Sequence, residues 1–147
     1  MFEKLNEFKT LNAIFKTNGY KLYLVGGTVR DFLLNKDLLD MDVVTDATPE
    51  EMEHFLNDAD FTFKKMGSVR YKINDVKFDI TTLREEKKYS DSRHPLEITF
   101  VKDLKKDVVR RDFTINGLYM DEHFIIYDYV NGKLDLNNKI IQMIGNP

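Results

Sequence analysis

Tyr23-Leu24-Val25-Gly26-Gly27-Thr28-Val29-Arg30-Asp31-Phe32-Leu33-Leu34, with Asp40-Met41-Asp42 close behind, is the stretch on which the fold of this chain turns. Tyr20 to Val25 has the aromatic and β-branched character of a buried strand, Gly26-Gly27 breaks it, and Thr28 opens a short helix through Leu34. The two residues without Cβ let backbone N–H groups and a helix N-terminus approach a phosphate, and Arg30 adds a positive fork. A glycine pair before a helix is also an ordinary turn, and this one is not a Walker sequence. Met41 to Val44 reads as the next strand. Alternation along it puts Asp40 and Asp42 on one face and sends Met41 and Val43 into the core. Two carboxylates sharing a face repel each other unless a cation neutralises them, and oxygen donors without His or Cys suit Mg²⁺ or Mn²⁺.

On the amino-terminal side, Phe2, Leu5, Phe8, Leu11, Ile14 and Phe15 recur at helical spacing and Gly19 follows as a stop. On the other side, Thr48-Pro49-Glu50-Glu51 predicts a helix start with Thr48 as N-cap, Pro49 at N1 and Glu51 closing a capping box, the helix turning Met52, Phe55 and Leu56 inward. Residues 61 to 83 alternate on both sides of Asn74-Asp75 and predict a hairpin. On its second arm Val76, Phe78 and Ile80 face one way and Lys77, Asp79 and Thr81 the other, so Asp79 can point outward as a third carboxylate. Arg84 to Pro95 has no apolar period and is expected to be a mobile loop. Residues 103 to 120 are expected to be helical with a break near Asp112-Phe113, and a strand near Phe124 to Tyr129, a turn at Asn131-Gly132 and a short amphipathic stretch follow.

The chain has 147 residues, 42% hydrophobic, 12% aromatic and 32% charged, which suits one domain with a real core. Its apolar runs are far shorter than the roughly 20 residues of a membrane span, and no basic and apolar leader opens it. Having no cysteine excludes disulfides, thiolate metal sites and cysteine nucleophiles, and a cytoplasmic location is expected. The net charge of -3 conceals two poles. Residues 37 to 60 hold nine carboxylates and no Lys or Arg, whereas Arg84 to Arg111 concentrates basic side chains. Within the basic pole, Arg110-Arg111-Asp112-Phe113-Thr114-Ile115-Asn116 combines two guanidinium groups, a carboxylate and an amide, a set able to grip a nucleoside triphosphate or to form a helix-end network of ion pairs.

Taken together these runs resemble the class II tRNA nucleotidyltransferases, the CCA-adding enzymes, with which bacterial poly(A) polymerases share their first motif. Tyr23 to Leu34 with Asp40-x-Asp42 is similar to motif A. Val109 to Gly117 is similar to motif B, RRDFTINA, with Gly117 for the usual Ala, and Tyr89 to Pro95 to the flexible loop, with Ser92 for the usual Gly. Asp128 to Leu136 is similar to the hinge motif and Ile144 to Pro147 to the end of the head region. The resemblance spans residues 20 to 147 and implies an α+β (mixed α/β) fold, a polymerase-β-like nucleotidyltransferase head with a small sheet backed by helices. It implies catalytic Asp40 and Asp42 holding Mg²⁺ or Mn²⁺; Asp79, from its place on the hairpin, is a further catalytic candidate. It also implies a nucleotide site built from Gly26, Gly27, Arg30, Arg110, Arg111, Asp112 and Asn116. The implied reaction is attack of a tRNA 3′-hydroxyl on the α-phosphate of CTP or ATP with release of pyrophosphate. A poly(A) polymerase head, or a nucleotide-binding module needing a partner, is the alternative. The family's neck, body and tail are not in this sequence, so one head domain over residues 1–147 is expected, as an excised head, a shortened homologue or half of a split enzyme with a separate C-terminal fragment. Base selection is expected to lie in that other part.

Overall fold

The first described helix, α1 (Leu5–Thr17), buries Leu5, Phe8, Leu11 and Phe15 along one stripe. Each such side chain contributes roughly 1.5–3 kcal/mol on leaving water. Gly19 ends the element with φ +88°, a left-handed conformation that a residue with a Cβ adopts only at a cost. The computed structural model describes residues 5–38, 40–87 and 97–145, so Phe2 lies outside it.

After α1 come β1 (Leu22–Val25), α2 (Gly27–Leu33) and β2 (Asp40–Thr45), in the predicted strand, turn and helix order. The capping box at Thr48 and Glu51 forms, but α3 (Pro49–Met52) is a single turn. Met52 and Leu56 are buried and Phe55 half-buried, the last two from the turn beyond the helix. The hairpin is β3 (Ser68–Ile73) and β4 (Val76–Thr82), with Asn74 at φ +53° in the turn. Six strands form one sheet in the order β3-β4-β2-β1-β7-β8, where β7 is Leu118–Met120 and β8 is Ile126–Asp128. Only β2 and β4 run parallel, and their register sets Asp42 beside Asp79 and Asp40 beside Lys77.

Two expectations fail here. Arg84 to Lys87 is not loop but a strand, β5, paired antiparallel with β6 (Glu97–Phe100); the rest of the expected loop lies outside the described residues. Residues 103 to 120 are not one interrupted helix either. Only α4 (Leu104–Val108) is α-helical, Thr114–Asn116 is a 3₁₀ turn, and Leu118 to Met120 is a strand buried on both faces, which leaves no alternation to read. The chain then enters α5 (Gly132–Asn137). A Cβ on Gly132 would sit 2.0 Å from the Thr114 carbonyl oxygen, so only glycine lets α5 lie against the 3₁₀ turn.

The sheet has a core on each face. Leu22, Leu24, Met41, Val43, Phe78 and Ile80 pack with α1, α2 and α3 on one. Val25, Val44 and Tyr119 pack with Leu83, Leu104 and Val108 on the other. Along β2 this second face is apolar at Val44 and carries Asp42 and Asp40 beyond the cover of α4, which leaves the carboxylates accessible on a rigid sheet.

Candidate active site

Asp40 and Asp42 share one exposed face while Met41 and Val43 are fully buried, as strand alternation requires. Asp42 is pinned through its backbone, whose N–H donates to Thr28 Oγ1 at 2.8 Å; the threonine predicted to open a helix instead ties that helix to the carboxylate strand. Asp79 comes alongside from β4 and accepts from Ser68 Oγ at 2.7 Å. Loss of hydration by burial raises the Asp42 pKa, and the Asp79 charge and, more weakly, Asp40 add to it, while Arg111 pulls the other way.

Two cavities meet at this pair. One, of about 470 Å³, is lined by Gly26, Gly27, Asp42, Asp79, Thr81 and a basic wall of Arg84, Arg110 and Arg111, with Asp112 and Asn116 at its rim. The other, of about 510 Å³, shares Asp42 and Asp79 and extends past Asp40 toward Arg70, Lys72 and Lys77. Register explains the second: Arg70 is opposite Asp79 and Lys72 opposite Lys77, so the hairpin's cations stand on the same sheet face as the carboxylates. Asp58 and Asp60 close its far side, and Asp60 is engaged by the Thr62 amide at 2.9 Å and the Thr62 hydroxyl at 2.5 Å. Asp42, from the acidic segment of the sequence, thus shares one cavity with Arg84, Arg110 and Arg111 of the basic segment.

Gly26 takes φ +65° and ψ −131°, and a Cβ there would lie 3.5 Å from the Asn116 carbonyl oxygen and 3.8 Å from Arg111 Nη1. The positive φ is what calls for glycine at position 26, where the backbone runs past the Arg111 guanidinium. Of the residues predicted to bind nucleotide, Arg30 lines neither cavity. Its Nη1 donates to Asn116 Oδ1 at 2.9 Å and its Nε to Asp31 Oδ1 at 3.1 Å, so here it braces Asn116 from behind. Asp112 accepts from the Phe113 amide at 2.6 Å. Arg110 and Arg111 pair with Asp107 at 3.0 Å and 3.1 Å, which is the ion-pair network the run also allowed, and both line the cavity. Arg84, Thr81 and Asp107 carry no sequence signal of a place at or behind this cavity; the wall position of Arg84 depends on β5, whose pairing with β6 no local pattern announces.

Asp107 accepts from both arginines, from the Arg84 amide at 3.0 Å and from the Tyr119 hydroxyl at 2.6 Å. Burial would raise its pKa, but Arg111 and Arg110, helped by those two donors, outweigh it and hold the carboxyl below the usual value. Burial would likewise lower Arg111, and Asp107 more than offsets it; Arg110, lowered by burial and by the Arg111 charge, is only partly compensated.

Residues 22–142 match the family model described as the poly A polymerase head domain. The chain belongs to that family. The head is 39% identical over 145 residues to a CCA-adding enzyme of Staphylococcus epidermidis, covering 99% of this chain and 36% of the relative. Its fold matches a solved Bacillus stearothermophilus CCA-adding enzyme in complex with CTP, with TM-score 0.82 and 32% identity, over 96% of this chain and 33% of the other. It also matches a tRNA nucleotidyltransferase solved with a primer tRNA and an incoming ATP analog, with TM-score 0.71 and 30% identity, over 91% of this chain and 38% of the other. The chain therefore spans about a third of the length of these relatives. None of its described helices is long and apolar enough to cross a membrane.

Proposed function

We propose that this head catalyses template-independent transfer of a nucleotide from CTP or ATP to the 3′ end of tRNA, with release of pyrophosphate. The observation that carries the reading is the meeting of two cavities at Asp42 and Asp79, one walled by arginines and glycine backbone, the other by the hairpin's cations. Phosphoryl transfer needs the attacking hydroxyl and the leaving pyrophosphate on opposite sides of the α-phosphorus, and a carboxylate pair between an arginine-walled cleft and a cleft of mixed charge, where Arg70, Lys72 and Lys77 face Asp58 and Asp60, offers that arrangement. The names of the related CCA-adding enzymes and of the solved complexes with CTP, an ATP analog and tRNA support it.

In this reading Arg111, Arg110 and Arg84 hold the triphosphate electrostatically, and the glycine pair admits it close to the main chain. Asp112 and Asn116, at the rim of the same cavity, are within reach of the ribose, and Arg30 keeps the Asn116 amide oriented. Arg70, Lys72 and Lys77 receive the phosphates of the RNA strand, and Asp79, oriented by Ser68, accepts from its terminal hydroxyl.

Asp40 and Asp42 fit Mg²⁺ or Mn²⁺, being oxygen donors whose mutual repulsion and whose effect on the Asp42 pKa a cation would relieve. Among the described residues no group of three His, Cys, Asp or Glu side chains is placed to hold an ion. When bound, such an ion supplies a lowered hydroxyl pKa and charge neutralisation at the leaving phosphate. Base selection is assigned to a separate C-terminal region or fragment, and a cytoplasmic setting goes with substrates that are tRNA and nucleoside triphosphates.

The test is transfer of label from α-³²P CTP and ATP to tRNA lacking its terminal CCA, by this chain alone and with a C-terminal fragment of a relative, using Asp42→Asn as control. Labelled tRNA with the parent head and none with the variant is the expected result. No label under either condition would overturn the proposal.

A further inference from the structure

Asp107 contributes no atom to the arginine-walled cavity, yet all of its charged partners line it. Its side chain has 0% exposure and both oxygens are engaged. Oδ1 accepts from the Arg84 amide and from Arg110 Nε, each at 3.0 Å. Oδ2 accepts from the Tyr119 hydroxyl at 2.6 Å, from Arg111 Nη2 at 3.1 Å and from Arg111 Nε at 3.2 Å.

The distribution of these bonds is informative. The Nε–Nη2 edge of Arg111 is taken up by Asp107, with Tyr119 Oη 3.3 Å from Nε, so the remaining nitrogen is Nη1. Nη1 is the atom nearest the glycine turn, 3.8 Å from where a Gly26 Cβ would be. Adjacent guanidinium groups repel each other and would splay toward solvent if nothing held them. A buried carboxylate bonded at both oxygens cannot drift, since each bond given up leaves charge without a partner in a poorly hydrated place. Through the Arg84 amide the same carboxylate fixes the start of β5, from which the third arginine reaches the wall.

We propose that Asp107 is a positioning residue for the triphosphate cradle: it turns Arg111 so that Nη1 faces the phosphates, holds Arg110 beside it, and anchors the backbone of Arg84, whose guanidinium is held in turn by Glu86 at 2.8 Å. The inference rests on reading that cavity as the triphosphate site. Asp107 touches no substrate and acts through the arginines, in the way that residues behind a ligand shell set its orientation.

The experiment titrates the 147-residue chain with inorganic tripolyphosphate in Mg²⁺ by calorimetry and compares Asp107→Asn, Arg111→Lys and the double variant. Asp107→Asn is expected to weaken binding at least about tenfold, and the double variant to lose much less than the product of the single losses, since both disturb one contact. Parent-like affinity in folded Asp107→Asn would show a role in stability alone and overturn the proposal. Absence of binding by the parent chain would instead overturn the triphosphate reading, and the proposal with it. Should Asp107→Asn not fold, Tyr119→Phe removes the 2.6 Å bond without removing charge. Its expected signature is a shifted Arg111 Nε–H resonance with affinity lowered about threefold; an unmoved resonance and unchanged affinity would likewise overturn the proposal.

Discussion

At the residue scale, single atoms decide what the site tolerates. Gly26→Ala puts a Cβ on a backbone at φ +65° and ψ −131°, a region closed to residues with side chains, and a loss of about 1–3 kcal/mol is expected in urea unfolding. Gly117 stands where the resemblance has Ala, and the reason is visible: a Cβ would lie 3.0 Å from Val130 Cγ2 and 3.1 Å from Val108 Cγ2, space that this chain fills with valines. Asp42→Asn relieves a carboxylate whose pKa is raised by burial, by Asp79 and by Asp40, so the metal-free protein should melt at a higher temperature in EDTA. Nucleotide transfer by the same variant should fall at least about a hundredfold. Asp107 has the opposite sign. Its folded pKa lies below its unfolded value of about 3.9, so the stability it contributes is present above that value and is lost as pH falls through the folded pKa. Parent and Asp107→Asn should therefore differ by about 3 kcal/mol near neutrality, and chemical unfolding at a series of pH values should find the gap closing below about pH 4.

At the element scale, the placement of cations on the hairpin separates the two clefts. Changing Lys72 and Lys77 together to Glu alters only exposed positions on the carboxylate face. It should raise the apparent KM for tRNA about tenfold and leave that for CTP within about twofold, as steady-state kinetics would show. The hairpin that carries them was legible because Val69, Tyr71 and Ile73 alternate toward Asn74-Asp75 and Val76, Phe78 and Ile80 alternate away from it. The strand bearing Asp40 and Asp42 was legible for the same reason. What could not be read had no such period. Arg84-Glu85-Glu86-Lys87 is polar throughout, and its strand exists because Glu97–Phe100 pairs with it, a partner that no local pattern announces. Leu118-Tyr119-Met120 is apolar throughout, and lies between two cores where both faces need side chains of the same kind. The carboxylates of the site followed from strand geometry, whereas Asp107 and Arg84 depend on tertiary contacts, as do the bonds of Arg30 to Asn116 and Asp31, which its place beside the glycine turn does not announce.

At the scale of the whole molecule, a carboxylate from the acidic segment and three arginines from the basic one line one cavity, so on the proposed reading recognition of a triphosphate there is led by charge. Sites that grip phosphate without directed groups for the base edge discriminate poorly among bases. ATP, CTP, GTP and UTP should accordingly bind this chain in Mg²⁺ with dissociation constants within about tenfold of one another, or about 1.4 kcal/mol, and fluorescent nucleotide displacement would measure it. A hundredfold preference for CTP and ATP would place base selection within this head. The parallel pairing of β2 with β4 has a consequence in time. Asp42 and Asp79 belong to strands that are far apart in the sequence, and the hairpin that carries Asp79 can form before it docks on β2. Secondary structure can thus accumulate in a chain that still lacks its carboxylate pair, and ligand capture becomes a late event in refolding. Stopped-flow dichroism should run ahead of the uptake of a fluorescent nucleotide, and a nascent chain would emerge structured before it became competent to bind.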